Sequence, residues 1–378
     1  MTILAVIAFA ALAAILFIWL GYPVVIWLIA KVAGQPNEPN LAAAATRRVS
    51  VVLATRDSVE PIQARVANLL DSAHPAELIE VIVALDVEGS KATPEQLREL
   101  DACVRVVVGD SPGGKASTLN AGVRAATGDI LVMADAAQRF DAHTIPQLVA
   151  ALEDSRFGAV SGALDLGCDG GTSPVDLYWR MEKWLRYNES LIHSSVGVTG
   201  AVYATRKALW VELPAGTLLD DVYVPMSLVL RGHRVAFSYA AKARDVRTFD
   251  SKAEGARKTR TLTGVMQLLS LLPAIRSSAN PIRAQFVMHK LARLTTPLWL
   301  VIVAIAALGM SVLVTAQYPT GSAICLGALL TMLAVIPALR RRAAKLVGWG
   351  FALQVATAKA VINGLRGSWS VWQNSDRK

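Results

Sequence analysis

The chain has 378 residues, of which 53% are hydrophobic, and a net charge of +9. That length suits one substantial domain with additional helices and excludes two large domains. The apolar excess gathers at the two ends and leaves a water-soluble middle. Cys103, Cys168 and Cys325 are widely separated with no CxxC spacing, which excludes a disulfide framework or a cysteine-based metal site and predicts reduced, mostly buried thiols. The basic balance comes with no zinc-finger spacing or aromatic RNA-binding motif, so it is assigned to lipid headgroups and not to nucleic acid.

The first apolar stretch runs from Ile3 to about Ile29 and closes at Lys31, longer than the roughly 20 residues that cross a bilayer. Pro23, after Gly21 and Tyr22, removes a backbone donor and predicts a kink there. With no basic region before it, the segment reads as a retained anchor over residues 1–33 and not as a cleaved signal peptide.

From Val49, VSVVLATRD is a β-branched run that stops near Thr55, the pattern of a buried parallel strand. A helix to about Ala73, a strand from Ile79 to Leu85 ending at Asp86 and a strand from Val104 to Val108 follow. Next come a helix around Ala116 to Ala126 and a strand from Asp129 to Met133 ending at Asp135. The alternation predicts an α/β domain on a doubly wound sheet, with ligands beyond the carboxyl ends of the strands, where Asp86 and Asp135 fall. A dinucleotide-binding oxidoreductase shares this architecture but needs a glycine fingerprint where Ala54, Thr55, Arg56 and Asp57 stand.

Asp86 can accept hydrogen bonds from a nucleobase or ribose, or simply cap a turn. In GGKASTLN, Gly113 and Gly114 permit close backbone approach and Lys115 brings charge to a phosphate, at a spacing that is not a Walker motif. Trp179 and Trp184 recur at helical spacing and read as packing, and His193 and His233 as ordinary polar residues. Asp220 and Asp221 directly precede an apolar helix, where acids serve as caps as well as catalysts. Arg257 and Arg260, three apart, share one face of a helix and suit phosphate, whether of lipid or of substrate.

Near the C-terminus, Pro297 to Ala316 and Gly321 to Leu339 predict membrane spans. Leu346 to Leu365, interrupted by Gln354, Lys359 and Asn363, fits either a span inside a bundle or a helix along the interface. Lys31, Arg47 and Arg48, then Lys290 and Arg293, then Arg340, Arg341 and Arg342 fall on one side of these spans. Basic flanks mark the cytoplasmic side, which places residues 33–290 in the cytosol and the N-terminus outside.

VSVVLATRD, the strand ending at Asp86, GGKASTLNAG, the strand ending at Asp135, TGAVYATRKAL, LDD and RKTRTLTG occur in an order that resembles family 2 glycosyltransferases. The resemblance covers about residues 1–300, including the anchor and the HKLAR segment before the second span. It implies a GT-A type doubly wound mixed sheet over residues 46–250, an amphipathic interfacial segment with an arginine motif over 251–294, membrane helices over 295–366 and a tail over 367–378. The implied activity is inverting transfer of a sugar from a nucleotide-diphosphate sugar to a hydroxyl.

Residue by residue, the resemblance implies Thr55, Asp57 and Asp86 in a nucleoside pocket, most commonly for a uridine nucleotide. It puts Lys115, Asn120 and Arg257 on the donor, Gly200 and Ala201 beneath the acceptor and donor sugars, and Arg260 on the diphosphate. Asp221, with Asp220 beside it, would be the catalytic base. Asp135 takes the place of the first acid of an Asp-x-Asp signature, implying Mg2+ or Mn2+, although Ala137 replaces the second acid. The Gln-x-x-Arg-Trp motif of processive members is reduced to Arg257-Lys258-Thr259-Arg260-Thr261, which favours short additions over polymer synthesis. Expected partners are a nucleotide sugar, a sugar or lipid-linked acceptor, the bilayer of an inner (plasma) membrane, and subunits of a polysaccharide assembly or export system. A polyprenyl-phosphate sugar synthase and a catalytically silent scaffold subunit stay open as alternatives. Three or four spans are too few for a transporter.

Overall fold

The computed structural model describes residues 1–166, 174–246, 251–320 and 337–369. Cys168, Cys325 and most of the Gly321–Leu339 stretch lie outside the described residues, and Cys103 is half-buried. At the N-terminus, helices Thr2–Leu16 (α1) and Tyr22–Ala33 (α2) are joined by a π-helical turn, Phe17–Gly21, in which the Tyr22 N–H donates to the Phe17 carbonyl. The turn ends just before Pro23, whose missing donor is accommodated by this widened turn instead of by a break.

Thr2–Ala33 is long and apolar enough to cross a membrane, with mean hydropathy 2.9 and only 11% of its most apolar window buried by protein. Its last turns are different: Tyr22 and Ile26 of α2 bury against Leu185 and Trp184 of the α/β domain.

Four strands, Val49–Thr55 (β1), Ile79–Leu85 (β2), Val104–Val108 (β3) and Ile130–Ala134 (β4), pair in parallel in the order β3-β2-β1-β4. The near-continuous hydrophobicity of β1, β2 and β4 follows from burial on both faces, while the edge strand β3 is only partly buried. Val51 and Leu53 join one core with Ile62, Val66 and Leu69 of helix Val59–Leu70 (α3), while Val52 packs with Leu119 and Val123 of helix Gly114–Ala125 (α4) on the other face.

Beyond β4 the sheet continues with Gln138–Phe140 (β5), Phe157–Asp165 (β6), Val202–Arg206 (β7) and Arg234–Asp245 (β8), giving the order β3-β2-β1-β4-β7-β6-β8-β5. β7 runs antiparallel to both β4 and β6, so the sheet is mixed. The pairing of Ala134 with Val202 sets Asp135 across from the Gly200–Ala201 loop, which is the first event in building the site.

Helices Thr144–Leu152 (α5), Pro174–Ile192 (α6), Asp220–Leu230 (α7) and Ser251–Leu271 (α8) complete the domain. The segment 251–294, expected along the interface, is more deeply integrated than that. Thr263, Val265, Gln267 and Leu268 of α8 are buried, Val265 and Leu268 share a core with α7, and the Leu218 N–H donates to Gln267 Oε1 at 2.9 Å.

Helix Thr296–Gln317 (α9), with mean hydropathy 2.5, is the second one long and apolar enough to cross a membrane. The last described helix, Pro337–Leu365 (α10), buries Ala356, Thr357 and Ala360, and its Gly364 abuts the Met266 side chain of α8. The 346–365 stretch therefore rests on α8.

Gly122 of α4 shows how tightly helix and sheet meet, since a Cβ there would stand 2.7 Å from Val52 Cγ1. Gly122→Val should destabilise the domain by about 1–3 kcal/mol through overpacking, read as a lowered melting temperature of the purified protein.

Candidate active site

A cavity of about 520 Å³ opens beyond the carboxyl ends of β1, β2 and β4 and runs beneath α6, α8 and α10. That is within the usual size range of small-molecule sites. Eight basic side chains against five acidic ones line it, a balance suited to a polyanion such as a diphosphate.

Three carboxylates meet one lysine at its floor. Lys115, at the second position of α4, places Nζ 3.1 Å from Asp135 Oδ1 and 3.4 Å from Asp220 Oδ2. Burial works against the ammonium, but Asp135, Asp220 and Asp221 outweigh it and hold its pKa above the ordinary lysine value. Asp220 and Asp221 open α7, where the helix dipole favours negative charge. Burial, and then the charge of Asp220, pushes the Asp221 carboxyl up to about 6 against the pull of Lys115, Arg186 and Lys290.

The loop beneath the acids is fixed by backbone. The Val198 N–H donates to the Asp221 carbonyl at 2.8 Å, and the Thr199 N–H donates to Ser161 Oγ at 2.9 Å. A Cβ on Gly200 would lie 3.2 Å from Asp221 Cβ and 3.6 Å from its Oδ2, so glycine keeps open the space next to the carboxylate. Arg257 and Arg260 of α8 both reach the cavity, as their spacing predicted, and Arg260 Nε is buried without a hydrogen-bond partner.

Lys115, Asp135, Gly200, Ala201, Asp220, Asp221, Arg257 and Arg260 are thus brought together. Asn120 is not: its Nδ2 donates to the Leu213 carbonyl at 2.9 Å, its Oδ1 accepts from the Leu213 N–H at 3.0 Å, and it does not line the cavity. Both ends of the amide are spent on holding the loop that leads to Asp220. The expected donor contact is corrected to a strut.

Asp86 is similarly engaged by protein. Its Oδ1 accepts from the Glu88 N–H at 2.9 Å, and its Oδ2 accepts from the Gly114 N–H at 2.7 Å and pairs with Arg56 Nη2 at 3.1 Å. Gly113 and Gly114 have φ of 78° and 87°, and a Cβ on Gly113 would stand 3.0 Å from Asp86 Oδ1. The glycine pair serves first to wrap the α4 N-terminus onto Asp86, which aims Lys115. Thr55 and Asp57 form a local turn, Thr55 Oγ1 donating to Asp57 Oδ2 at 3.0 Å, with neither on the cavity wall. Arg56 and Glu88 supply the wall at that end.

Several lining residues escaped the sequence reading. Trp179, expected to be packing only, lines the cavity, whereas Trp184 does pack against α2. Lys290 and Arg293, counted as cytoplasmic flank charges, turn inward to the cavity alongside Glu182 and Arg186. Their signal was present as helical spacing: Trp179, Glu182 and Arg186 fall on one stripe of α6. His193 and His233 do not reach the cavity; His289 does.

Residues 50–210 match the profile of the family described as Glycosyl transferase family 2. Among solved structures, mannosyltransferase PcManGT from Pyrobaculum calidifontis, in complex with GDP-Man and Mn2+, aligns with a TM-score of 0.71 and 22% identity over 98% of this chain and 99% of that one. TarS 1-349 of S. aureus aligns at a TM-score of 0.42 and 13% identity over 66% of this chain and 80% of that one. Glucosyl-3-phosphoglycerate synthase from Mycobacterium tuberculosis, in complex with Mn2+, UDP and glucosyl-3-phosphoglycerate, aligns at a TM-score of 0.40 and 22% identity over 61% of this chain and 82% of that one. No curated protein sequence matches.

The mixed sheet and its strand-end cavity have a GT-A-like fold, shared with the mannosyltransferase structure. Residues 50–210, somewhat under half of the chain, are similar to glycosyltransferase family 2.

The raised Asp221 carboxyl makes a prediction about pH. If this group must be ionised to work, kcat/KM should climb as pH rises through about 6, roughly two units above an ordinary aspartate. Removing the neighbouring charge with Asp220→Asn should move that limb to lower pH. A profile with its acid limb near an ordinary aspartate value would show that Asp221 is not the titrating group.

Proposed function

We propose that the protein transfers one sugar from a nucleotide-diphosphate sugar, most simply a UDP-sugar, to a hydroxyl acceptor at a membrane surface, with inversion at the anomeric carbon. The observation that carries this reading is the Asp221 carboxylate, half-buried on the cavity floor, held toward the neutral form, and kept clear by Gly200.

In this mechanism Asp221 takes the proton of the acceptor hydroxyl while the oxygen attacks C1 from the face opposite the diphosphate. The C1–oxygen bond to the diphosphate breaks as the new C1–oxygen bond forms, and a single displacement inverts the centre. Lys115, Arg257 and Arg260 receive the negative charge that develops on the departing nucleoside diphosphate. Asp220 anchors Lys115 and raises Asp221, so it acts on the base without touching substrate. Arg56 and Glu88 stand at the end of the cavity where the nucleoside would enter, above the turn of Thr55 and Asp57.

The donor set for a metal is sparse. Among the described residues no three His, Cys, Asp or Glu side chains are grouped to hold an ion. Asp135 alone fits Mg2+ or Mn2+ of the kind held by one or two carboxylates with water and substrate phosphate oxygens completing the shell. When bound, such an ion would neutralise diphosphate charge. Lys115, 3.1 Å from Asp135 Oδ1, supplies a share of that charge from the protein itself.

The membrane reading rests on the uncovered apolar faces of Thr2–Ala33 and Thr296–Gln317. Trp19 and Tyr22, where α2 begins to pack on the domain, suit the headgroup level. The basic flanks favour a multi-pass protein of an inner membrane with its catalytic domain in the cytosol, working in polysaccharide or glycolipid assembly, with other subunits where export is required. Thr261 in place of a tryptophan favours single additions.

The test is diphosphate release from a panel of uridine, guanosine and thymidine diphosphate sugars, with and without Mn2+. Asp221→Asn should lower kcat by about 10²–10⁴-fold on the active donor with KM for the donor little changed. Full turnover by Asp221→Asn would remove the proposed base.

A further inference from the structure

The membrane-side end of the cavity holds a second group of cations that the donor chemistry does not use. Helix α6 presents Glu182, Arg186 and Glu189 on one stripe, and a π-helical turn, Val287–Leu291, presents His289 and Lys290 opposite them. A widened turn of this kind is a frequent mark of functional sites.

The two buried carboxylates are already committed. His289 Nε2 stands 3.0 Å from Glu182 Oε2 and Nδ1 2.9 Å from Glu189 Oε1. Arg293 Nη1 donates to Glu182 Oε1, and the Tyr22 hydroxyl donates to Glu189 Oε1 at 2.6 Å. Arg186 and Lys290 are left with charge to spare. Arg186 Nη1 donates a long bond to Thr199 Oγ1 at 3.3 Å, but its Nε is buried with no hydrogen-bond partner, Glu182 Oε2 being 3.9 Å away. Lys290 makes no hydrogen bond or ion pair among the described residues, although it lines the cavity. Burial, then the charge of Arg186, push its pKa down to about 8, with Arg293 adding to the effect and Glu182 opposing it. Crowded, partly unpaired cations in a closed space are the complement of an anion that arrives from outside.

The place of this cluster says where the anion comes from. The Arg293 guanidinium lies over the Trp19 ring at 4.7 Å, and Trp19 Nε1 donates to Thr296 Oγ1 at 3.1 Å. Trp19 belongs to the first membrane-length helix and Thr296 begins the second. The cluster is therefore sited where both apolar helices meet the catalytic domain, at headgroup depth. On its other side it borders Asp221, whose carboxyl feels both Arg186 and Lys290.

We propose that Arg186 and Lys290 form an anion subsite that takes the phosphate of an amphiphilic acceptor, so that the acceptor is a phosphate-bearing lipid entering from the bilayer. This rests on the transferase reading above, because it is Asp221 that the lipid's reacting hydroxyl would meet. The phosphate stays intact during transfer and serves to position that hydroxyl.

The test uses the full chain in zwitterionic micelles and follows tryptophan fluorescence during titration with hexadecyl phosphate, hexadecanol, inorganic phosphate and, for the donor side, UDP. Hexadecyl phosphate should bind saturably, hexadecanol should not, and inorganic phosphate should bind at least about tenfold more weakly for want of the buried chain. Lys290→Gln and Arg186→Gln should each weaken hexadecyl phosphate by about tenfold or more while leaving UDP affinity unchanged, and Lys290→Arg should retain it. The proposal is overturned if Lys290→Gln and Arg186→Gln bind hexadecyl phosphate as the parent does. It is equally overturned if hexadecanol or free phosphate binds as tightly, or if UDP affinity falls in parallel, since the cations would then belong to the donor. Absence of UDP binding to the parent would instead count against the donor reading and leave the alkyl phosphate result standing.

Discussion

The ammonium of Lys115, lodged between Asp135 and Asp220, is the contact on which the rest of the site depends. It ties the end of β4 to the start of α7, two elements that arrive from different parts of the chain. Three carboxylates so close together repel one another, and without a cation between them burial would favour protonation. Lys115 pairs with Asp135 and Asp220, while Asp221, slightly apart, is left with its carboxyl raised by burial and by Asp220. Asp86 and the Gly113–Gly114 turn aim that lysine, and Asn120 braces the loop leading to α7. Residues that look like separate motifs in the sequence are thus parts of one electrostatic arrangement.

A second constraint joins this site to the apolar helices. Glu182 and Glu189 are buried, a state that costs several kcal/mol per ion, roughly, unless it is repaid by close partners. Arg293, His289 and Lys290 overcome the burial of Glu182 and hold its pKa well below the ordinary value. Tyr22 and Trp19 from the N-terminal apolar helix complete the same network. That helix therefore helps to fix one wall of the cavity, so that its packing and the site geometry are one structural problem.

The parallel half of the sheet was legible because its strands are β-branched runs that each end at a polar turn. β1 to β4 form within a residue or two of the expected limits. The antiparallel half was less so. β5 is only three residues long, and β8 alternates buried and exposed residues beyond Ser238, so neither carries the continuous apolar signal of a central strand. In the site, Asp135, Lys115, Asp221 and the Arg257–Arg260 pair converge as their order in the chain suggested. What sequence could not separate was a side chain that faces substrate from one that braces it. Asn120 and Asp86 look like ligand contacts but are bonded to backbone. Lys290 and Arg293 look like flank charges but point inward, since charge near an apolar helix has the same appearance whether it meets lipid or cavity.

In the proposed mechanism Asp221 is the base and the diphosphate leaves from the opposite face, which makes the reaction a single displacement. The decisive measurement is the anomeric configuration of the glycosidic product formed from an α-linked nucleotide-sugar donor, read by proton NMR. A β-linked product is predicted. An α-linked product would require a double displacement or front-face transfer, and would contradict the role of Asp221 as the base of an inverting reaction.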